Sequence, residues 1–144
     1  MSYAYRDARE DDAGEVAEIA NRYFLPREMS VGSMRDLVQD RTMKVAVNEE
    51  GDEDDTDEVV GYVSYRVIDE TVVVQHLCVV PEYRDTEVPE ELVSFPVEFA
   101  DDEGLKARVA VSEGSCFGDC LSDEGFEEKG EARFAGETLR MYER

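Results

Sequence analysis

The sequence has one histidine, His76, and three cysteines, Cys78, Cys116 and Cys120, among 144 residues. So few cysteines, and an odd number, exclude the paired framework of a small secreted disulfide protein. Apolar runs are short. None approaches the ~20 residues that cross a bilayer, so no membrane span is expected. The opening residues, Met1 to Arg6, lack the apolar core of a signal peptide, and a cytoplasmic location follows as the expectation. Basic residues are scarce and form no stripe that would neutralise phosphates, which argues against a nucleic-acid partner. Without an internal repeat or a linker-like shift in composition, residues 1–144 read as one domain.

What is abundant is negative charge. Asp and Glu number 37 against 15 Lys and Arg, for a formal net charge of -22. In dilute buffer such a chain repels itself, whereas molar salt shortens the Debye length to ~3 Å and removes most of that cost. The acids are spread along the chain instead of forming one tail, so the composition predicts a protein adapted to a salt-rich cytoplasm. Hydrophobic residues make up 42%, compatible with a folded core. A domain of this length buries ~70% of the surface its unfolded chain exposes.

Residues 3–9 predict a first strand. A helix then starts at Asp11 or Asp12, with Ala13, Val16, Ile19, Ala20, Tyr23 and Phe24 on one face. Leu25-Pro26 ends it, and Ser30 or Ser33 starts a second helix carrying Met34, Leu37 and Val38. Met43, Val45 and Val47 alternate as a strand. The charged run from Gly51 to Glu58 is then a loop to an antiparallel strand from Val59. Counted from Asp52, this loop has Asp57 and Val63 where a calcium loop needs Gly and Glu, so it reads as a solvated hairpin loop.

Asp69-Glu70 marks a turn into Thr71–Val80, whose near-continuous apolarity predicts a central strand covered on both faces. A helix from about Pro89 to Asp102 follows, with a kink or break expected at Pro96. Leu105, Ala107, Val109 and Val111 predict a strand parallel to 71–80. A short helix over 115–123, a stop at Gly125, and a hairpin of 126–134 with 137–143 complete the chain.

This order, joined to Val79-Val80-Pro81-Glu82-Tyr83-Arg84 and to Gly125-Phe126, resembles the GNAT-type N-acetyltransferase superfamily over almost the whole chain. The first phrase matches the start of that family's V-x-P-E-Y-R-G-x-G-x-G segment. The resemblance implies an α/β fold, a mixed central sheet with flanking helices, and acetyl-CoA as cofactor. It places the pantetheine arm beside Leu77, Cys78, Val79 and Val80, with further cofactor contacts at Arg84, Thr86 and Val88. Yet the glycines expected at 85, 87 and 89 are Asp, Glu and Pro. Two carboxylates there repel phosphate, and Pro89 removes a backbone donor.

The family's proton-donating tyrosine aligns with Leu121, which cannot transfer a proton. Its neighbour Cys120 is a candidate substitute, since a thiol titrates near pH ~8.5. His76 shares a strand face with Cys78, opposite Leu77 and Val79, and is the candidate general base. Glu70 and Glu113 stand as alternatives. His76, Cys78, Cys116 and Cys120 do not make a standard zinc spacing, and no metal is expected.

Two functions follow from the resemblance. One is acyl transfer to an amine on a small molecule or a protein. The other is a non-catalytic module of the same fold that binds a protein partner. Phe134, Leu139, Met141 and Tyr142 either finish the monomer's core or pair two copies into a homodimer.

Overall fold

The longest apolar stretch of the chain lies in the middle of a sheet. In a computed structural model describing residues 3–23, 30–40, 42–48, 58–112, 117–134 and 137–144, the strands are β1 (Tyr3–Asp7), β2 (Thr42–Asn48), β3 (Glu58–Ile68), β4 (Thr71–Val79), β5 (Lys106–Ser112), β6 (Glu127–Phe134) and β7 (Glu137–Glu143). They form a seven-stranded sheet in the order β1-β2-β3-β4-β5-β7-β6. β4 and β5 run parallel, and the other neighbours are antiparallel. Helices α1 (Ala13–Tyr23), α2 (Val31–Asp40), α3 (Val88–Glu103) and α4 (Phe117–Asp123) complete the mixed α/β, GNAT-like architecture.

Strand alternation divides the core into two layers. Under α1 and α2, Val16, Ala20 and Met34 meet Val45, Tyr62 and Cys78. On the other face, Leu92, Val93 and Val97 of α3 and Leu121 of α4 meet Val63, Val72, Leu77 and Val79. β4 is thus covered on both faces, as its apolarity predicts.

Helix α2 begins where Ser30 Oγ accepts the Ser33 N–H at 3.1 Å, a local cap of the kind serine provides. The predicted Asp69-Glu70 turn joins β3 to β4 with positive φ at both residues, 49° and 62°, as a tight two-residue hairpin requires. Among the described side chains of the last strand, Tyr142 belongs to the α3 layer, while Leu139 and Met141 are half-buried.

Two expectations are corrected. Helix α3 is not broken at Pro96; it continues from Val88 to Glu103 with the proline ring buried beside Val97 and Ala100. Packing of that apolar face against the sheet outweighs one lost helical donor. Leu105 is outside the strand that it was expected to start, because its N–H closes α3 on the Ala100 carbonyl at 2.8 Å. Gly104, at φ 67°, makes this reversal sterically open. Phe24, Cys116, Glu113 and the predicted hairpin loop from Gly51 to Asp57 lie outside the described residues.

Candidate active site at the end of the central strand

The site begins with a counting irregularity in β4. Ser64 pairs with His76, but the next residue of β3, Tyr65, pairs with Val74. Gln75 is therefore an extra residue, a bulge that bends the strand and reverses its alternation. Because of it Val72, Val74, Leu77 and Val79 all reach the α3 layer, while Cys78 faces α1.

Beyond the bulge β4 also leaves β5. Their pairing runs from Thr71–Lys106 to Val74–Val109, yet β4 continues to Val79 and β5 to Ser112. Past Val74 and Val109 the two strands share no register pair, which leaves a gap in the pairing between them. The Val80 N–H donates to the Val60 carbonyl at 2.9 Å across the β3 edge. By alternation the peptide groups of Cys78 and His76 also turn toward β3, and those of Leu77 and Val79 turn toward the gap. Gly61 lets α3 close over this end: an added Cβ would come within 3.0 Å of both the Cys78 carbonyl oxygen and Leu92 Cδ1.

His76 is half-buried on the α1 face. Its Nδ1 lies 3.0 Å from the Tyr62 hydroxyl. Tyr62 is fully buried, and burial, followed by the neighbouring Cys78 thiol, pushes its phenol well above the ordinary range. The phenol therefore keeps its hydrogen at neutral pH. If that hydrogen is donated to Nδ1, the ring proton sits on Nε2. If Nδ1–H instead donates to the phenol oxygen, Nε2 is an acceptor. Ser64, the register partner of His76, carries a buried Oγ without a hydrogen-bond partner among the described residues.

Cys120 lies in the other layer, half-buried on α4 against the α3-side core. Leu121, at the family's tyrosine position, is 1% exposed. His76 and Cys120 thus flank the sheet from opposite faces. Glu70 is in the turn at the other end of β4.

The segment between β4 and α3 is bonded to itself. Tyr83, Arg84 and Thr86 donate their N–H groups to the carbonyls of Val80, Pro81 and Tyr83. Thr86 Oγ1 accepts the Val88 N–H at 3.2 Å, and Glu91 N–H bonds back to Glu87 O at 3.0 Å. Arg84 Nε donates to the Val79 carbonyl at 3.0 Å, folding its guanidinium back to the end of β4. Glu82, Asp85, Glu87, Glu90 and Glu91 surround it in sequence. Burial, and then the charges of Glu87, Glu90, Glu98 and Glu124, raise the Glu91 carboxyl above its ordinary value.

On the α1 side, a pocket of about 190 Å3 touches Val80 and is lined by Glu15, Glu18, Glu58 and Glu82, with Arg22. Among the described residues no group of His, Cys, Asp and Glu is arranged to hold a metal ion, and no helix is long and apolar enough to cross a membrane.

Tyr62, the Gln75 bulge, the Thr86 cap and the Arg84 clasp escape the sequence reading. Two signals point to this end of β4: the polar pair His76 and Cys78 on an apolar strand, and the phrase Val79 to Arg84 that follows it.

No protein-family model matches the sequence, and no curated protein sequence is significantly similar. Solved structures are similar in fold. Arabidopsis thaliana NAA60 in complex with acetyl-CoA superposes with TM-score 0.81 at 14% identity, covering 99% of this chain and 98% of that one. An N-acetyltransferase from Staphylococcus aureus Mu50 gives 0.82 at 13%, covering 100% and 98%. An acetyltransferase of the GNAT family from Streptococcus pneumoniae gives 0.76 at 13%, covering 99% and 98%. At these identities the likeness establishes the fold, and the chain has the fold of GNAT acetyltransferases.

Proposed function

We propose that this protein is an N-acyltransferase that carries an acyl group from a pantetheine thioester, such as acetyl-CoA, to an amine. The observation that carries the reading is the gap opened beside Leu77 and Val79, where β4 parts from β5. A pantetheine arm laid there finds the strand's outward peptide groups as hydrogen-bonding partners for its own amides. Acetyl-CoA in a solved structure of the same fold supports the donor class.

The gap also gives the two layers access to one bond. The amine approaches from the α1 face, where the carboxylates around Val80 attract a cation. The ammonium gives one proton to solvent, its freed lone pair forms a bond to the thioester carbon, the carbon–sulfur bond breaks, and sulfur leaves as thiolate. His76 takes the amine proton at Nε2, which requires that Nδ1–H donate to Tyr62. Cys120, from the α4 side, returns a proton to the thiolate. With a net charge of -22, the protein works in a concentrated-salt cytoplasm as a single domain.

One set of observations favours a second reading, a binding module without catalysis: the acidic, self-bonded segment before α3. The experiment that separates the two is an acyl-transfer assay in 2 M KCl with acetyl-CoA and a panel of amines, wild type against His76→Ala. Turnover that falls on the order of 10²-fold or more in the variant supports the enzyme and its base. No turnover with any amine, together with no binding of acetyl-CoA, leaves the binding module.

A further inference from the structure

We propose that the acyl donor is held by its pantetheine arm alone, and that the nucleotide half of a donor such as acetyl-CoA adds nothing to affinity. This rests on the N-acyltransferase reading and narrows it to a class of donor, a thioester of pantetheine recognised without its 3′,5′-ADP.

Phosphate recognition at a helix start needs backbone N–H groups that point outward and a field that welcomes negative charge. Here the donors are few and the field is unfavourable: between Tyr83 and Glu91 the N–H groups not closed within the segment are those of Asp85, Glu87 and Glu90, each on a residue that carries a carboxylate. The N–H groups of Tyr83, Arg84 and Thr86 close on carbonyls within the same segment. That of Val88 closes on Thr86 Oγ1, and residue 89 is a proline. Arg84, the single cation between residues 82 and 91, spends its Nε on the Val79 carbonyl. Five carboxylates occupy the same ten residues, and burial, followed by the charges of Glu87, Glu90, Glu98 and Glu124, raises one of them, Glu91. A pyrophosphate entering here meets like charge and would have to displace formed hydrogen bonds.

The β4–β5 gap meets that segment only where Arg84 Nε holds the Val79 carbonyl. Its remaining peptide groups are those of Leu77 and the Val79 N–H, set by the Gln75 bulge and the end of pairing at Val74. Transfer itself uses only the pantetheine end. The amine lone pair forms the carbon–nitrogen bond, the carbon–sulfur pair leaves with sulfur, and the proton lost by the amine ends on the thiol. Nothing in that balance involves the nucleotide.

The test is calorimetric titration of the full chain with S-acetylpantetheine, acetyl-CoA and 3′,5′-ADP, in 2 M KCl. That salt screens the carboxylates, so any remaining difference reports hydrogen-bond donors. Affinities for acetylpantetheine and acetyl-CoA within about threefold of each other, with no binding of 3′,5′-ADP to millimolar concentration, are expected on the additivity of independent contacts. Acetyl-CoA binding more than about thirtyfold tighter than acetylpantetheine, or measurable 3′,5′-ADP binding, overturns the inference and leaves the acyltransferase reading standing. Failure of both thioesters to bind overturns the two together.

Discussion

The end of β4 and the start of α3 are adjacent in sequence, yet they offer a ligand opposite surroundings. The strand keeps its bulge, its separation from β5 and its outward peptide groups. The segment after it, from Val80 to Pro89, closes the N–H groups of Tyr83, Arg84, Thr86 and Val88 on itself and is rich in acids. A strand's geometry is set by register and by core packing on both faces, so it survives as long as the sheet does. A phosphate loop depends on glycine at particular positions and on little else, so a few substitutions dismantle it without cost to the fold.

Restoring the loop is the strongest way to break this contrast. The triple substitution Asp85→Gly, Glu87→Gly and Pro89→Gly returns a donor, removes two carboxylates and frees the backbone. It is expected to raise acetyl-CoA affinity over acetylpantetheine by tenfold or more, read by the same calorimetry. An unchanged ratio would mean that the gap, and not the loop, limits nucleotide binding.

A smaller effect, on both affinities and not on their ratio, is expected from Gly61→Ala. The new methyl crowds the Cys78 carbonyl and Leu92 at 3.0 Å, and overpacking of this kind costs ~1–3 kcal/mol of stability in denaturant titration. Because α3 must then move away from β4, both thioesters should weaken together.

Asp12→Asn is likewise expected to leave the ratio unchanged. Arg6 bonds Asp12 through two nitrogens at 2.6 and 3.0 Å, and the Arg9 N–H adds a third contact at 2.7 Å. Burial opposes ionisation of Asp12, but the Arg6 hydrogen bond, the Arg9 N–H and both positive charges outweigh it, so the carboxyl titrates below its ordinary value. A lowered carboxyl stabilises the folded state above its unfolded pKa of 3.8, and that contribution is lost as pH falls through the lower folded value. The variant should therefore be less stable than wild type by ~1–3 kcal/mol at pH 7, with the difference closing below pH ~4. A shift in the affinity ratio here would show that the ratio reports stability instead of recognition.

The sequence disclosed the strands and helices because their signals are local. Val45 and Val47 alternate, α3 repeats its apolar residues at three and four, and Asp69-Glu70 interrupts an apolar pattern. Leu121 at the tyrosine position and the missing glycines were equally visible. What stayed hidden depends on register. Gln75 carries no glycine or proline to mark a bulge, and Tyr62 meets His76 only because β3 and β4 pair as they do across 14 residues. The same holds for Arg84, which reads as a phosphate contact from its position and folds back onto the Val79 carbonyl in three dimensions. Pro96 misled for another reason: a buried apolar ring can contribute more to packing than the lost N–H costs the helix.

Gln75 also has a consequence for how this protein can change. Deleting that one residue would leave Ser64–His76 and Tyr65–Val74 as consecutive pairs of a regular ladder, with His76 and Cys78 still facing α1 and Leu77 and Val79 still facing α3. The faces of the strand's last residues are thus fixed by pairing with β3, and the bulge takes up the residue that would break their parity. Were Gln75 drawn into regular alternation instead, His76 and Cys78 would turn beneath α3 and Leu77 and Val79 toward α1, scrambling the site with every candidate functional residue still in the sequence.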